Sequence, residues 1–107
     1  MKVLTNNEAL FERSIGSLQK VIDPEIGLNV LDLGLLYEIN FDESAKKIIC
    51  RMTLTSEYCP MGEAITDGVY RALQFTFPEH ATEIHLTFDP PWSQDLISDE
   101  GRIFLKQ

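Results

Sequence analysis

Basic residues are scarce: Lys and Arg number 9 against 17 Asp and Glu, for a net charge of −8. A protein that holds nucleic acid needs clustered Lys and Arg to displace counterions from phosphate. No such cluster occurs, which excludes nucleic acid and anionic membranes as expected partners. Long apolar runs are missing too; none approaches the roughly 20 residues that cross a bilayer. The start, Met1-Lys2-Val3-Leu4-Thr5-Asn6-Asn7-Glu8, lacks the apolar centre of a secretory signal, so a cytoplasmic location is expected. Cysteine is limited to Cys50 and Cys59, which fits free thiols in a reducing compartment. The two histidines, His80 and His85, are not spaced as a pair with either cysteine and read as ordinary surface residues. No CxxC, HExxH, GxSxG or phosphate-loop pattern appears, so zinc-ribbon, hydrolase and kinase readings lose their usual support.

What is present reads as one domain over residues 1–107, without repeat, low-complexity tract or linker. Phe11, Ile15, Leu18 and Ile22 recur at helical spacing and predict a helix over 6–22. Thr5 and Glu8 suit a capping box, and Pro24 stops the helix. Residues 35–41 alternate as a strand, with Leu35, Tyr37, Ile39 and Phe41 on one face. Residues 47–55 form a second strand, its buried face Ile48, Cys50, Met52 and Leu54, joined to the first by a short turn. A second helix spans 60–76 on a stripe of Met61, Ala64, Ile65, Val69, Ala72 and Leu73, with Pro60 at its first position. Residues 82–88 make a third strand, with Ile84, Leu86 and Phe88 inward. A last helix begins near Ser98 as N-cap. The expected fold is α+β: a small three-stranded sheet with helices on one face, in the order α-β-β-α-β-α.

That order carries a functional inference. The helix between strands two and three makes those strands parallel, while strand one runs opposite to strand two. The carboxyl ends of strands two and three and the start of strand one therefore share one edge. Three proline-marked polar segments meet that edge: Asp23-Pro24-Glu25-Ile26-Gly27 running on to Asp32-Leu33-Gly34, Thr55-Ser56-Glu57-Tyr58-Cys59-Pro60, and Asp89-Pro90-Pro91-Trp92-Ser93. Ligand sites in crossover sheets favour this edge.

Cys59 precedes Pro60 and is expected as N-cap of the second helix, where unpaired amides and the helix dipole favour a thiolate. Glu63 partly opposes this. The alternative is a cap without chemistry. Cys50, in phase with Ile48 and Met52, reads as core. Asp23, Glu25 and Asp32 suit either hard-metal ligation and thiol orientation or plain turn chemistry. Thr53 and Thr55 lie on the polar strand face toward Cys59, where strand propensity alone also explains them. Trp92, after two prolines, either presents its indole to a partner or folds back over the core edge.

Taken together, Asp23-Pro24-Glu25-Ile26, Asp32-Leu33-Gly34-Leu35-Leu36-Tyr37, Met52-Thr53-Leu54-Thr55-Ser56, Cys59-Pro60-Met61-Gly62 and Asp89-Pro90-Pro91-Trp92-Ser93 resemble the signature segments of SufT-like and PaaD-like metal–sulfur cluster biosynthetic proteins. The likeness runs from about residue 8 to the C-terminus and keeps order and spacing. It implies an iron–sulfur assembly domain fold and a role in maturing or transferring clusters to client proteins. Cys59 matches the family's functional cysteine, and Asp23, Glu25, Thr55 and Trp92 match further motif positions. Two departures stand out: Glu57-Tyr58 where the family carries small residues or proline, and Gly101 in the last helix.

A cluster takes four ligands, mostly thiolates, and one chain offers one at this edge. The expectation is a transient cluster shared with a partner or a second chain, among iron–sulfur carriers, scaffolds and clients, with a homodimer left open. The protein is read as a non-enzymatic factor. The other readings are an adaptor in a multi-subunit oxygenase or assembly complex, and a thiol-redox protein.

Overall fold

The computed structural model describes residues 3–58 and 60–106. The chain opens with a two-residue strand, β1 (Leu4–Thr5), followed by helices α1 (Glu8–Leu18) and α2 (Val30–Leu33). The hairpin β2 (Leu36–Asp42) and β3 (Lys47–Met52) comes next, then helix α3 (Gly62–Thr76) and strand β4 (Ala81–Leu86). A 3-10 turn at Gln94–Leu96 leads into α4 (Asp99–Leu105).

The sheet has four strands in the order β1-β2-β3-β4, rather than the expected three. The additional strand, β1, pairs parallel with β2 through Leu4 opposite Glu38 and Thr5 opposite Ile39. Two residues are too few to show a strand period, so the pattern could not reveal it. β2 and β3 are antiparallel and β3 and β4 parallel, as the crossover logic requires.

The covered face is built by alternation. Ile39 and Phe41 on β2, and Ile48, Cys50 and Met52 on β3, are buried beneath the helices. The opposite face carries Glu38, Asn40, Arg51, Glu83 and His85, none of them buried. Arg51 pairs there with Glu38 at 3.4 Å and lies over the Tyr37 ring. Helix α3 buries Gly62, Ile65, Val69, Ala72 and Leu73. Met61 and Ala64, expected in that stripe, are exposed: Met61 stands before the first helical residue, and Ala64 lies off the face that carries Gly62, Ile65, Val69 and Ala72. A Cβ at Gly68 would sit 2.8 Å from Val21 Cγ1, so this glycine permits close approach of α3 to the segment after α1.

Five other expectations need correction. Helix α1 ends at Leu18 rather than at residue 22, and Ile22 is exposed and bridges Asn29. Its N-cap is Asn7, whose side chain accepts from the Leu10 amide; Thr5 is committed to β1. On β2 the alternation slips at a bulge between Leu36 and Glu38, so both Leu35 and Leu36 are buried. His80 is buried, not a surface residue: the turn after α3 tucks its ring edge-on to Phe77, and its Nε2 lies 3.0 Å from Glu43 Oε2. That hydrogen bond holds the Glu43 carboxyl below its usual value. Leu86, expected inward, is 48% exposed, because β4 is an edge strand with no neighbour on its far side among the described residues.

Among the described residues no helix is long and apolar enough to cross a membrane.

Candidate functional site

The register places Leu36 opposite Met52, and Met52 opposite Leu86. The start of β2 and the ends of β3 and β4 therefore stand side by side, and the segments at 23–35, 53–61 and 87–98 all leave from this one rim. The convergence expected from topology is present.

Two of these segments are stitched together. Asn29 caps α2 by accepting from the Asp32 amide at 2.9 Å, while Asp32 Oδ2 accepts from Asn29 Nδ2 at 2.7 Å. This is a reciprocal cap, of the kind a capping box makes. Asp32 Oδ1 accepts from the Ser98 hydroxyl at 2.7 Å, and the Asp32 carbonyl from the Ser98 amide at 2.8 Å. Ser98 in turn caps α4 by accepting from the Gly101 amide. Asp32 thus ties the start of one helix to the start of another.

The end of α2 is fixed as firmly. Gly34 sits at φ 78°, with its amide donating to Leu31 O and the Leu35 amide donating to Val30 O. That bond pair is a Schellman cap, which needs a left-handed residue at this position. A Cβ here would also fall 2.3 Å from Leu96 O. The free carbonyl of Leu33 accepts from Trp92 Nε1 at 2.6 Å, and Tyr37 Oη donates to Pro90 O at 2.8 Å. Trp92 is half-buried and packs against the core. Of its two expected arrangements, the fold-back over the core edge is the one adopted.

The acidic loop is likewise self-contained. Asp23 is buried, and its Oδ1 accepts from the Glu25 amide at 2.8 Å, an Asx turn. Its amide donates to Leu28 O and its carbonyl accepts from Gly27 N. Glu25 is exposed.

The middle segment differs. Ser56, Glu57 and Tyr58 are exposed, Tyr58 at 89%, and Thr55 is half-buried. The Tyr58 amide donates to Ser56 Oγ at 3.1 Å, a bond within the segment. Thr53, expected on the polar face, is fully buried at the strand end. Helix α3 takes Met61 as N-cap, with no side-chain cap bond, rather than the expected residue 59. Gly62 lies against Leu54, where a Cβ would approach to 2.7 Å. Cys59 itself, the expected thiol, lies outside the described residues. Cys50 is core as expected: burial pushes its thiol up to about 12.

No group of three or more His, Cys, Asp or Glu among the described residues is placed to hold a metal. A groove of about 690 Å3 opens on the β1–β2 side of the rim, lined among others by Leu36, Tyr37, Leu96 and Arg102. Asp23, Glu25, Thr55 and Trp92 do not line it.

Sequence reasoning missed α2 and the Asp32–Ser98 tie. The signal was there: Asn29-Val30-Leu31-Asp32-Leu33-Gly34 sets a capping Asn, apolar residues around Asp32 and a closing Gly in the start and stop pattern of one helical turn.

Residues 15–86 match the family described as iron–sulfur cluster assembly protein. The chain belongs to this family. It is 41% identical over 98 residues to the Fe-S protein maturation auxiliary factor YitW of Bacillus subtilis, covering 92% of this chain and 95% of that one. It is 40% identical over 87 residues to the Fe-S protein maturation auxiliary factor SufT of Staphylococcus aureus, covering 79% and 96%. In structure it is similar to a domain of unknown function, DUF59, from Bacillus anthracis, with TM-score 0.84 and 35% identity over 92% of this chain and 93% of that one. The family assignment puts the rim in context: its anchored segments and its exposed one contain the motifs by which the resemblance was first read.

Proposed function

We propose that this protein is an iron–sulfur maturation factor that helps deliver clusters to client proteins, with Cys59 as a transient ligand completed by a partner. The observation that carries the reading is the family match together with the exposed segment 56–58, which leads directly into Cys59 from a rim whose neighbouring stretches are tied together. The cluster is cargo, not a resident group. Four ligands are the rule for a cluster, and the described residues offer no cluster of donors, so the remaining ligands come from a carrier, a client or another chain.

The roles then divide. Cys59 touches the cargo. Asp23 and Trp92 are positioning residues: one shapes the acidic loop, the other pins the end of α2. Glu25 and Thr55 remain near the rim with side chains available to a partner. The protein acts without catalysing a reaction of its own.

A thiol-redox reading needs a resolving cysteine. Cys50 has 0% exposure and its thiol is held protonated to about pH 12, which argues against that role. Alkylation of the native protein at pH 8 should therefore modify Cys59 and leave Cys50 unreacted until the chain is unfolded.

The test replaces Cys59→Ser in the cell and measures client maturation, alongside anaerobic mixing with a cluster-loaded carrier followed by visible absorption. Loss of client activity and of the transferred absorption is expected. Wild-type behaviour of Cys59→Ser in both measurements overturns the ligand role, and the adaptor reading then stands.

A further inference from the structure

We propose that β4 is a self-pairing edge, through which two copies of this chain join their sheets into one. This goes beyond the maturation role and does not depend on it.

β4 closes one side of the sheet and has no strand beyond it among the described residues. It pairs with β3 over its whole length without a bulge, and Ala81–Leu86 contains no proline. Those are devices that ordinarily blunt an exposed edge, and both are missing. The bonds at the two ends of the β3–β4 ladder set its phase. The Ala81 amide donates to Lys46 O, and the Thr87 amide to Met52 O. In a parallel ladder, alternate residues bond to the same neighbour, so the odd-numbered residues of β4 face β3. The amides and carbonyls of Thr82, Ile84 and Leu86 therefore point away from the molecule.

Charge selects the register. A twofold axis normal to the sheet places like residues on like faces, so the pairing centres on Glu83, Ile84 or His85. Centring on Glu83 sets two carboxylates opposite each other. Centring on His85 sets two imidazoles opposite each other. Centring on Ile84 sets Glu83 of each copy opposite His85 of the other, twice, on the face where Glu83 already meets Lys47 and His85. The same register sets Leu86 of one copy opposite Thr82 of the other and beside its Ile84. It would cover the apolar side chain that the single chain leaves 48% exposed. Directly opposed cross-strand pairs of this kind stabilise antiparallel sheets, and like charges there destabilise them.

The geometry has a functional corollary. Antiparallel β4 strands put the two carboxyl rims at opposite ends of the joined sheet. Each rim stays open to its own partner, and the two do not meet around one cluster.

The experiment is sedimentation equilibrium of the full, iron-free chain up to about 1 mM, so that its result is independent of cluster chemistry. Wild type should show a reversible doubling of mass. His85→Glu should weaken self-association about tenfold, because two Glu–His contacts become two pairs of facing carboxylates. Adding Glu83→Lys to His85→Glu should restore it, and an unchanged circular-dichroism spectrum and urea midpoint of the single variant show that it folds. A wild type that stays monomeric throughout overturns the proposal, as does association that neither variant changes.

Discussion

Two stretches of the same rim are built on opposite principles. Three side-chain hydrogen bonds tie the stretch from Asp23 to Tyr37 to the stretch from Pro90 to Ser98: Asp32 to Ser98, Trp92 to Leu33, and Tyr37 to Pro90. From Ser56 to Tyr58 the side chains are exposed, and among the described residues their side-chain bonding stays within the segment, from the Tyr58 amide to Ser56. The contrast separates a frame from what the frame presents. Interior bonding fixes the strand ends and short helices, so the exposed segment departs from a rigid base. Exposure leaves its groups free of competing partners, as a contact surface requires.

Substitutions can break this contrast. The largest loss is expected from Gly34→Val, which forces a β-branched residue into the left-handed region and into contact with Leu96 O. Urea unfolding should show a destabilisation of at least about 3 kcal/mol; an unchanged midpoint would mean the α2 cap is not rigid. Asp23→Ala should cost about 1–3 kcal/mol by leaving the Glu25 amide without its acceptor. The neighbouring Glu25→Gln should stay within about 0.5 kcal/mol in the same titration, since its side chain is exposed. If Glu25→Gln nonetheless lowers client maturation in cells, the loop has a contact role that Asp23 only supports. Trp92→Phe keeps the ring but removes the donor to Leu33 O, and should lower stability by about 1 kcal/mol. The smallest stability effect belongs to Tyr58→Ala, within about 0.5 kcal/mol. Its outcome in a carrier pull-down sharpens the comparison most: full stability with lost capture marks the free segment as a contact surface, and unchanged capture removes Tyr58 from it.

Much of the scaffold was readable. The alternation Ile48, Cys50, Met52 lands on the buried face because a strand flanked by two others has both edges satisfied and only its faces to distinguish. The period failed at Leu36 and Leu86 for different reasons. A bulge shifts Leu36 by one position, and an edge position leaves Leu86 uncovered. For the candidate site, segment convergence was readable because crossover handedness and strand direction follow from element order. The division of labour within it was not. Asp32, Asp23 and Trp92 are polar or aromatic residues in loops, the composition that both a binding site and a structural tie display. His80, at the far end of the sheet from the rim, shows the reverse case: it reads as a surface residue in sequence, and burial against Phe77 makes it part of the core edge.

From residue order alone came the mixed α+β class, the shared rim, the core place of Cys50 and the family to which the five motifs belong. These depend on periodicity, chain direction and local spacing, which are properties of neighbours along the chain. Tertiary structure decided the fourth strand and which polar groups on the rim are already bonded. Those depend on contacts between residues as far apart as Asp32 and Ser98, whose partners no local pattern specifies.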